Sequence, residues 1–411
     1  MPADTGAIGS HSRNPRAIMS LSDVSRSAPQ TRAPLWNEFL TSLRENSLLV
    51  LFSLLFGTAP IIVAREFSIA TPPYTDLGLT YLAFIATAGP AAFSAFALWY
   101  LYQARVRKVP NFQAEAVRRL RHDFLSRERL LLALPVLALW PITAGAFSYL
   151  KSVIPLVHPF YLDPTLHQWD RMLHFGVDPW RLLQPFLGYT WVTWLINLGY
   201  ALWLWVFQAV LVLQFGAAGD RKRRMQFLLT MALAWALIGN VAATLMSSAG
   251  PCFYGLIVGG PDPYAPLMSY LHGVSTELSL AAFGHEFHIP FTALMLQDLL
   301  WQGQLDGDFG IAMGISAAPS MHIASSWIIA RLAWSIGGKA RVCGSVFLLF
   351  IFVGSIHLGW HYAIDGYLAA TAAWGLWRAT GWLLDRPIVQ ALLWPKGLKP
   401  ASPESRAAKH S

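Results

Sequence analysis

The chain has 411 residues, 55% hydrophobic and only 13% charged, with a net charge of +8 and two cysteines. Soluble domains carry roughly 25% charged residues, so this composition argues for a polytopic membrane protein and against a large soluble core. Two cysteines, Cys252 and Cys343, are too few for a disulfide framework.

Residues 1–46 are rich in Ser, Arg, Pro and Ala and are expected to form a disordered cytoplasmic tail. No apolar run stands where a cleaved signal peptide needs one. Apolar stretches of membrane-spanning length then recur at 47–64, 79–102, 130–150, 190–215, 226–248, 320–336, 342–358 and 362–384. The expected fold is an all-α polytopic bundle of about eight transmembrane helices. Residues 47–129 supply two N-terminal spans and a basic loop, 130–385 a six-helix catalytic core, and 386–411 a cytoplasmic tail.

Basic residues support this division. The stretch RVRKVPNFQAEAVRRLRHDFLSRER holds eight of them, RKRR stands at 221–224, and residues 249–318 hold none. Alternation of this kind follows the positive-inside rule with both termini cytoplasmic. It accounts for the positive charge as a topology and anionic-lipid signal, with no nucleic-acid partner.

Two outer segments break the apolar pattern. HPFYLDPTLHQWDRMLHFGVDPWRLLQPF (158–186) mixes aromatics with His, Asp and Arg and reads as an interfacial amphipathic helix. Within it, Asp170, Asp178 and Trp180 either shape a headgroup pocket or cap the helix. Residues 249–318 are long for a connection, and such loops are usually functional. HEFH (285–288) lacks a third partner for a metal, so no metal site is expected.

The loop alternation brings chemistry to one membrane face. SAAPSMHIA places Ser320 and His322 at the outer start of the sixth span. GSIHLGWHYAIDGYLAA places His357 at the outer end of the seventh and His361 at the start of the eighth, with Asp365 one turn further on the same side. Ionisable groups in an apolar span are normally functional. An imidazole whose ring N–H is held by a carboxylate is a nucleophile, and a second imidazole can protonate a leaving oxygen. The helix start at Pro319–Ser320 offers free N–H groups to a phosphate. These groups supply the acid and the electrostatics without a metal or cofactor.

PSMH (319–322) and HYAID (361–365) resemble two of three signature motifs of the type 2 phosphatidic acid phosphatase superfamily, which includes haloperoxidases and glucose-6-phosphatase-like enzymes. GISAAPSMHIA and GWHYAIDG, with SSAGPCFY (247–254) and the stretch 170–180, resemble the inositol phosphorylceramide synthase branch; the likeness covers roughly 155–385. It implies a phosphohistidine mechanism with His361 as nucleophile, Asp365 as its orienter and His322 as general acid. The substrate would be a phospholipid or lipid phosphate, with a lipid alcohol or water as acceptor. The superfamily's first motif, a Lys followed by Arg-Pro, is not apparent. The third motif's Ser-Arg is also missing, because Ile356 follows Ser355. The outer cations available to phosphate are Arg65, Lys151, Arg171 and Arg181. Arg171 is favoured, with His357 and Ser320 assisting.

The enzyme would sit in the cell membrane with its site on the periplasmic or lumenal side. The close alternative is a phosphatidate or polyprenyl (pyro)phosphate phosphatase. A transporter relaying protons through His and Asp would need polar groups at many depths. Plainer readings stand beside these: Ser320 as an N-cap, His357 as a structural hydrogen-bonding group, and Arg331, half a turn away from His322, snorkelling inward.

Overall fold

The computed structural model describes residues 34–106, 111–123, 125–276, 279–282, 285–288, 290–307 and 313–395. The expectations for 1–33, for 107–110 and for 396–411 lie outside the described residues.

The chain is a helical bundle. It opens with α1 (Leu35–Glu45), α2 (Ser47–Glu66), α3 (Tyr74–Val106), α4 (Phe112–Asp123) and α5 (Arg127–Ser152). Three shorter helices follow, α6 (Ile154–Val157), α7 (Asp163–Leu173) and α8 (Pro179–Leu187). Next come α9 (Thr190–Ala201), α10 (Trp203–Phe215), α11 (Arg221–Ala236) and α12 (Ala243–Leu245). The long loop holds α13 (Tyr254–Ile257), α14 (Ala265–Thr276), strands β1 (Ser279–Ala282) and β2 (His285–His288), and α15 (Thr292–Asp306). The chain closes with α16 (Met321–Ile336), α17 (Gly338–His357), α18 (Ala363–Leu384) and α19 (Pro387–Leu393).

All eight apolar stretches are helical. Among the described residues, five helices are long and apolar enough to cross a membrane: Ser47–Glu66, Arg127–Ser152, Thr190–Phe215, Arg221–Leu245 and Gly338–His357. The protein is therefore a membrane protein. The interior prolines Pro60, Pro90, Pro135 and Pro141 suit such helices, where neighbouring groups satisfy the freed backbone.

Five features depart from the sequence-based expectation. First, the stretch 35–45 is a helix, not part of a tail. Glu45 pairs with Arg221 at 3.0 Å, and buried Asn46, just beyond α1, accepts from Arg224 at 2.9 Å, which fastens α1 to α11. Second, the fourth span is two helices, α9 and α10, meeting at Leu202. Third, the fifth widens into a π-type turn over Leu237–Ala242. Gly239 sits there because a Cβ would lie 2.6 Å from the Phe147 ring. Fourth, β1 and β2 form an antiparallel hairpin with Ser279 opposite His288, the one pair of strands among the described residues. HEFH is thus a strand. A fifth difference is small: α19 occupies part of the expected C-terminal tail.

α2 and α3 pack onto the rest through polar contacts as well as apolar ones. Thr143 Oγ1 lies 2.8 Å from Ser53 Oγ, and Tyr81 donates to Gln208 Oε1 at 3.0 Å.

Candidate active site

α7 is the foundation of the site. Its first residue, Asp163, is fully buried, and its carboxylate accepts four hydrogen bonds. Ser248 Oγ donates at 2.9 Å, Ala249 N at 3.0 Å, Gly250 N at 2.8 Å and Tyr362 OH at 2.9 Å. The SSAG loop so held reaches both motifs. Ala317 N donates to Ser248 O at 2.9 Å, and Cys252 N donates to Gly359 O at 2.9 Å. Gly250 turns with φ +100, and a Cβ there would lie 2.9 Å from the Trp360 carbonyl, so only glycine fits.

Two helical turns further on, Asp170 accepts from Ala363 N at 2.8 Å and Ile364 N at 2.7 Å. It thereby caps the start of α18, a terminus whose N–H groups have no partner within the helix. Of the two roles open for Asp170, capping is the one seen, on α18 rather than on its own helix. Burial outweighs those two bonds and pushes the Asp170 carboxyl up to about 6. Asp178 serves α8, accepting from Arg181 Nε at 3.1 Å and facing His167 Nδ1 at 3.4 Å. Trp180 is buried beneath the Arg181 guanidinium.

On this framework the two motifs meet. His322 Nδ1 lies 3.1 Å from His361 Nε2. His361 Nδ1 lies 3.0 Å from the Ala317 carbonyl, which can only accept, so Nδ1 carries the proton and Nε2 presents its lone pair. His361 is 5% exposed. Tyr200 stacks on the His322 ring at 5.2 Å between centroids, and Trp203 packs against it at 4.2 Å with the rings tilted by 47°.

The carboxylate is placed differently from the expected pairing. Asp365 Oδ2 lies 3.6 Å from His361 Nδ1, within ion-pair range but beyond hydrogen-bond length. Its bond is to Tyr362 N at 3.1 Å, closing the first turn of α18. The Ala317 carbonyl fixes the imidazole, and Asp365 faces it as a buried carboxyl group.

Ser320 is fully buried, and its Oγ accepts from Ile323 N at 3.3 Å as the N-cap of α16. Its own N–H donates to Asp365 O at 3.3 Å, tying the two motif helices together. His357 is set apart. Its Nε2 lies 2.9 Å from Thr193 Oγ1 on α9, which matches the structural reading. Arg171 is exposed on α7, and its charge acts on His167.

Among the described residues, the cation close enough to act electrostatically on both His322 and His361 is Lys151, in the last turn of α5. Lys151 was among the outer cations but was not the one favoured. A signal stood in the sequence: His158–Pro159 follows Lys151, with His where Arg was sought. Asp163 was also missed, since an acid in a helix's first turn ordinarily reads as a simple dipole partner.

The family model described as the PAP2 superfamily matches residues 164–379, more than half of the chain. The chain belongs to the PAP2 superfamily. No curated protein and no solved structure is significantly similar to it. The PAP2 match contains Asp170, His322, His357, His361 and Asp365 and begins one residue after Asp163. Lys151 lies before it. As a PAP2 superfamily membrane protein, the chain is consistent with a lipid phosphatase or phosphotransferase.

Proposed function

We propose that the protein transfers a phosphate-bearing headgroup between membrane lipids through a phosphohistidine on His361. The observation that carries this reading is the imidazole pair, with Nε2 of His361 presented 3.1 Å from Nδ1 of His322 and its other nitrogen held by Ala317. All eight apolar helices cross the membrane in this reading, six of them (130–385) forming the core, with the site on the periplasmic or lumenal side.

The substrate phosphate enters between the rings. The His361 Nε2 lone pair forms a bond to phosphorus while the bond from phosphorus to the leaving alcohol oxygen breaks. His322, in its charged form, gives that oxygen the Nδ1 proton. An acceptor hydroxyl then attacks phosphorus and returns its proton to His322, and the N–P bond breaks. The Asp365 carboxylate offsets the positive charge that His361 acquires. Lys151 offsets the phosphate charge, a part first sought in Arg171, and the α16 terminus at Ser320 adds its dipole.

The wording of GISAAPSMHIA and GWHYAIDG favours an inositol-phosphate headgroup and a lipid alcohol as acceptor. The test is incubation of detergent-solubilised protein with phosphorus-labelled phosphatidylinositol, phosphatidate and polyprenyl phosphate. An acid-labile, base-stable label on the protein, absent in His361→Ala, is expected. Transfer of the labelled headgroup to an added lipid alcohol supports the transferase, and inorganic phosphate release without acceptor supports the phosphatase. A label that persists in His361→Ala would sink the mechanism. Neither transfer nor release with any substrate would return the proton-relay transporter to consideration.

A further inference from the structure

An open groove of about 620 Å³ runs between α16, α17 and α18. On α16 it is lined at positions 323, 327, 330, 331 and 334, and on α18 at 366, 367, 370 and 374. At about 100° per residue, these positions centre roughly 120° round α16 from His322 and roughly 155° round α18 from Asp365. The groove therefore lies on the far side of both helices from the imidazole pair, where a substrate held at His361 does not lead its chain.

Its walls are apolar, with Trp327, Phe352 and Trp374 prominent and the small Ala330 and Ala370 between them. One full charge lines it. Arg331 is exposed, rests 5.9 Å from the Trp377 ring centroid, and has no carboxylate partner among the described residues. It stands ten residues into α16, about 15 Å from the end that carries the site. Exposed Arg378 lies one turn beyond Trp374 on the same side of α18. The groove is thus apolar along its length and cationic at the end remote from catalysis.

A bare cation on a membrane-facing helix is costly unless it reaches the interface or meets an anion. A volume of this size is typical of small-molecule sites. Phospholipid supplies both a hydrocarbon chain for the walls and a phosphate for the guanidinium. We propose that the groove holds a resident anionic phospholipid of the leaflet opposite the catalytic site, its acyl chain along Trp327 and Phe352 and its phosphate on Arg331, with Arg378 alongside. Arginine suits that phosphate because its donors form a planar fork.

The test is native mass spectrometry of the full chain released from nanodiscs of equal parts phosphatidylglycerol and phosphatidylcholine. The wild type should retain phosphatidylglycerol in preference to phosphatidylcholine. Arg331→Gln should lose about five-fold of that preference, the equivalent of ~1 kcal/mol for one cation at a membrane surface. Arg331→Lys should keep most of it, and Ala370→Trp, which fills the groove, should lower retention of both lipids. His361→Ala should retain the lipid as the wild type does, so loss of chemistry and loss of this site are separate results. Retention by the wild type in the bilayer ratio would overturn the proposal, as would an Arg331→Gln protein that retains phosphatidylglycerol equally well. Should both Arg331 variants fail to fold, the wild-type preference and the Ala370→Trp result decide.

Discussion

At the scale of single residues, proton placement decides the chemistry. The Ala317 carbonyl fixes the tautomer of His361, and His322 faces the nitrogen left free. If His322 protonates the leaving oxygen, His322→Ala should slow turnover of a lipid substrate by roughly 10²–10⁴-fold. A substrate with a p-nitrophenolate leaving group needs little protonation and should be slowed far less; equal losses on both would remove the acid role. Lys151 makes a second case. Lys151→Ala should raise KM for lipid phosphates by about ten-fold, with Lys151→Arg recovering part of it, because a charge near phosphate contributes on the order of 1–2 kcal/mol. Arg171→Ala should change KM by less than about two-fold, as befits an exposed cation screened by solvent. Initial rates against substrate concentration read both, and the reverse ranking would return the phosphate to Arg171.

At the scale of elements, α7 acts as a brace. Asp163 and Asp170 lie seven residues apart on one helix and fasten the SSAG loop and the start of α18. Asp163→Ala would leave two backbone N–H groups, the Ser248 hydroxyl and the Tyr362 hydroxyl without their acceptor. At about 1–3 kcal/mol for each buried group, the loss should appear as a marked drop in thermal melting temperature in detergent. Asp170 adds a pH signature. Burial holds its folded pKa up at about 6, above the ordinary carboxylate range. The stability it contributes is therefore fully present below the unfolded value and is lost as pH rises through about 6. Melting curves from pH 4 to 7 should show wild type losing stability across that window relative to Asp170→Asn; parallel curves would mean that the carboxyl is not buried as described.

At the scale of the whole molecule, the prediction concerns sidedness. With the site outward and basic loops inward, a cysteine at Pro261, in the long loop, should react with an impermeant maleimide from outside intact cells. One at Lys339, in the first turn of α17, should react only after permeabilisation. Both positions are exposed, and the native Cys343 would be replaced by Ser in both proteins. Labelling of both from the same side would undo the topology and with it the shared membrane face of the two motifs.

Hydrophobicity at membrane length and the alternation of Lys and Arg were enough to place the eight apolar helices, because both signals are local and additive along the chain. His322, His361 and Asp365 were legible as a group because their motifs stand at helix ends, which the expected loop alternation assigns to one face. Other features depended on contacts between residues far apart in sequence. Ala317 takes the imidazole proton across 44 residues, and Tyr362 reaches Asp163 across 199. Arg221 and Arg224 turn an expected tail into α1 by meeting Glu45 and Asn46. Such bonds form only where packing excludes water and leaves a buried polar group one partner within reach, a condition that the tertiary structure alone creates.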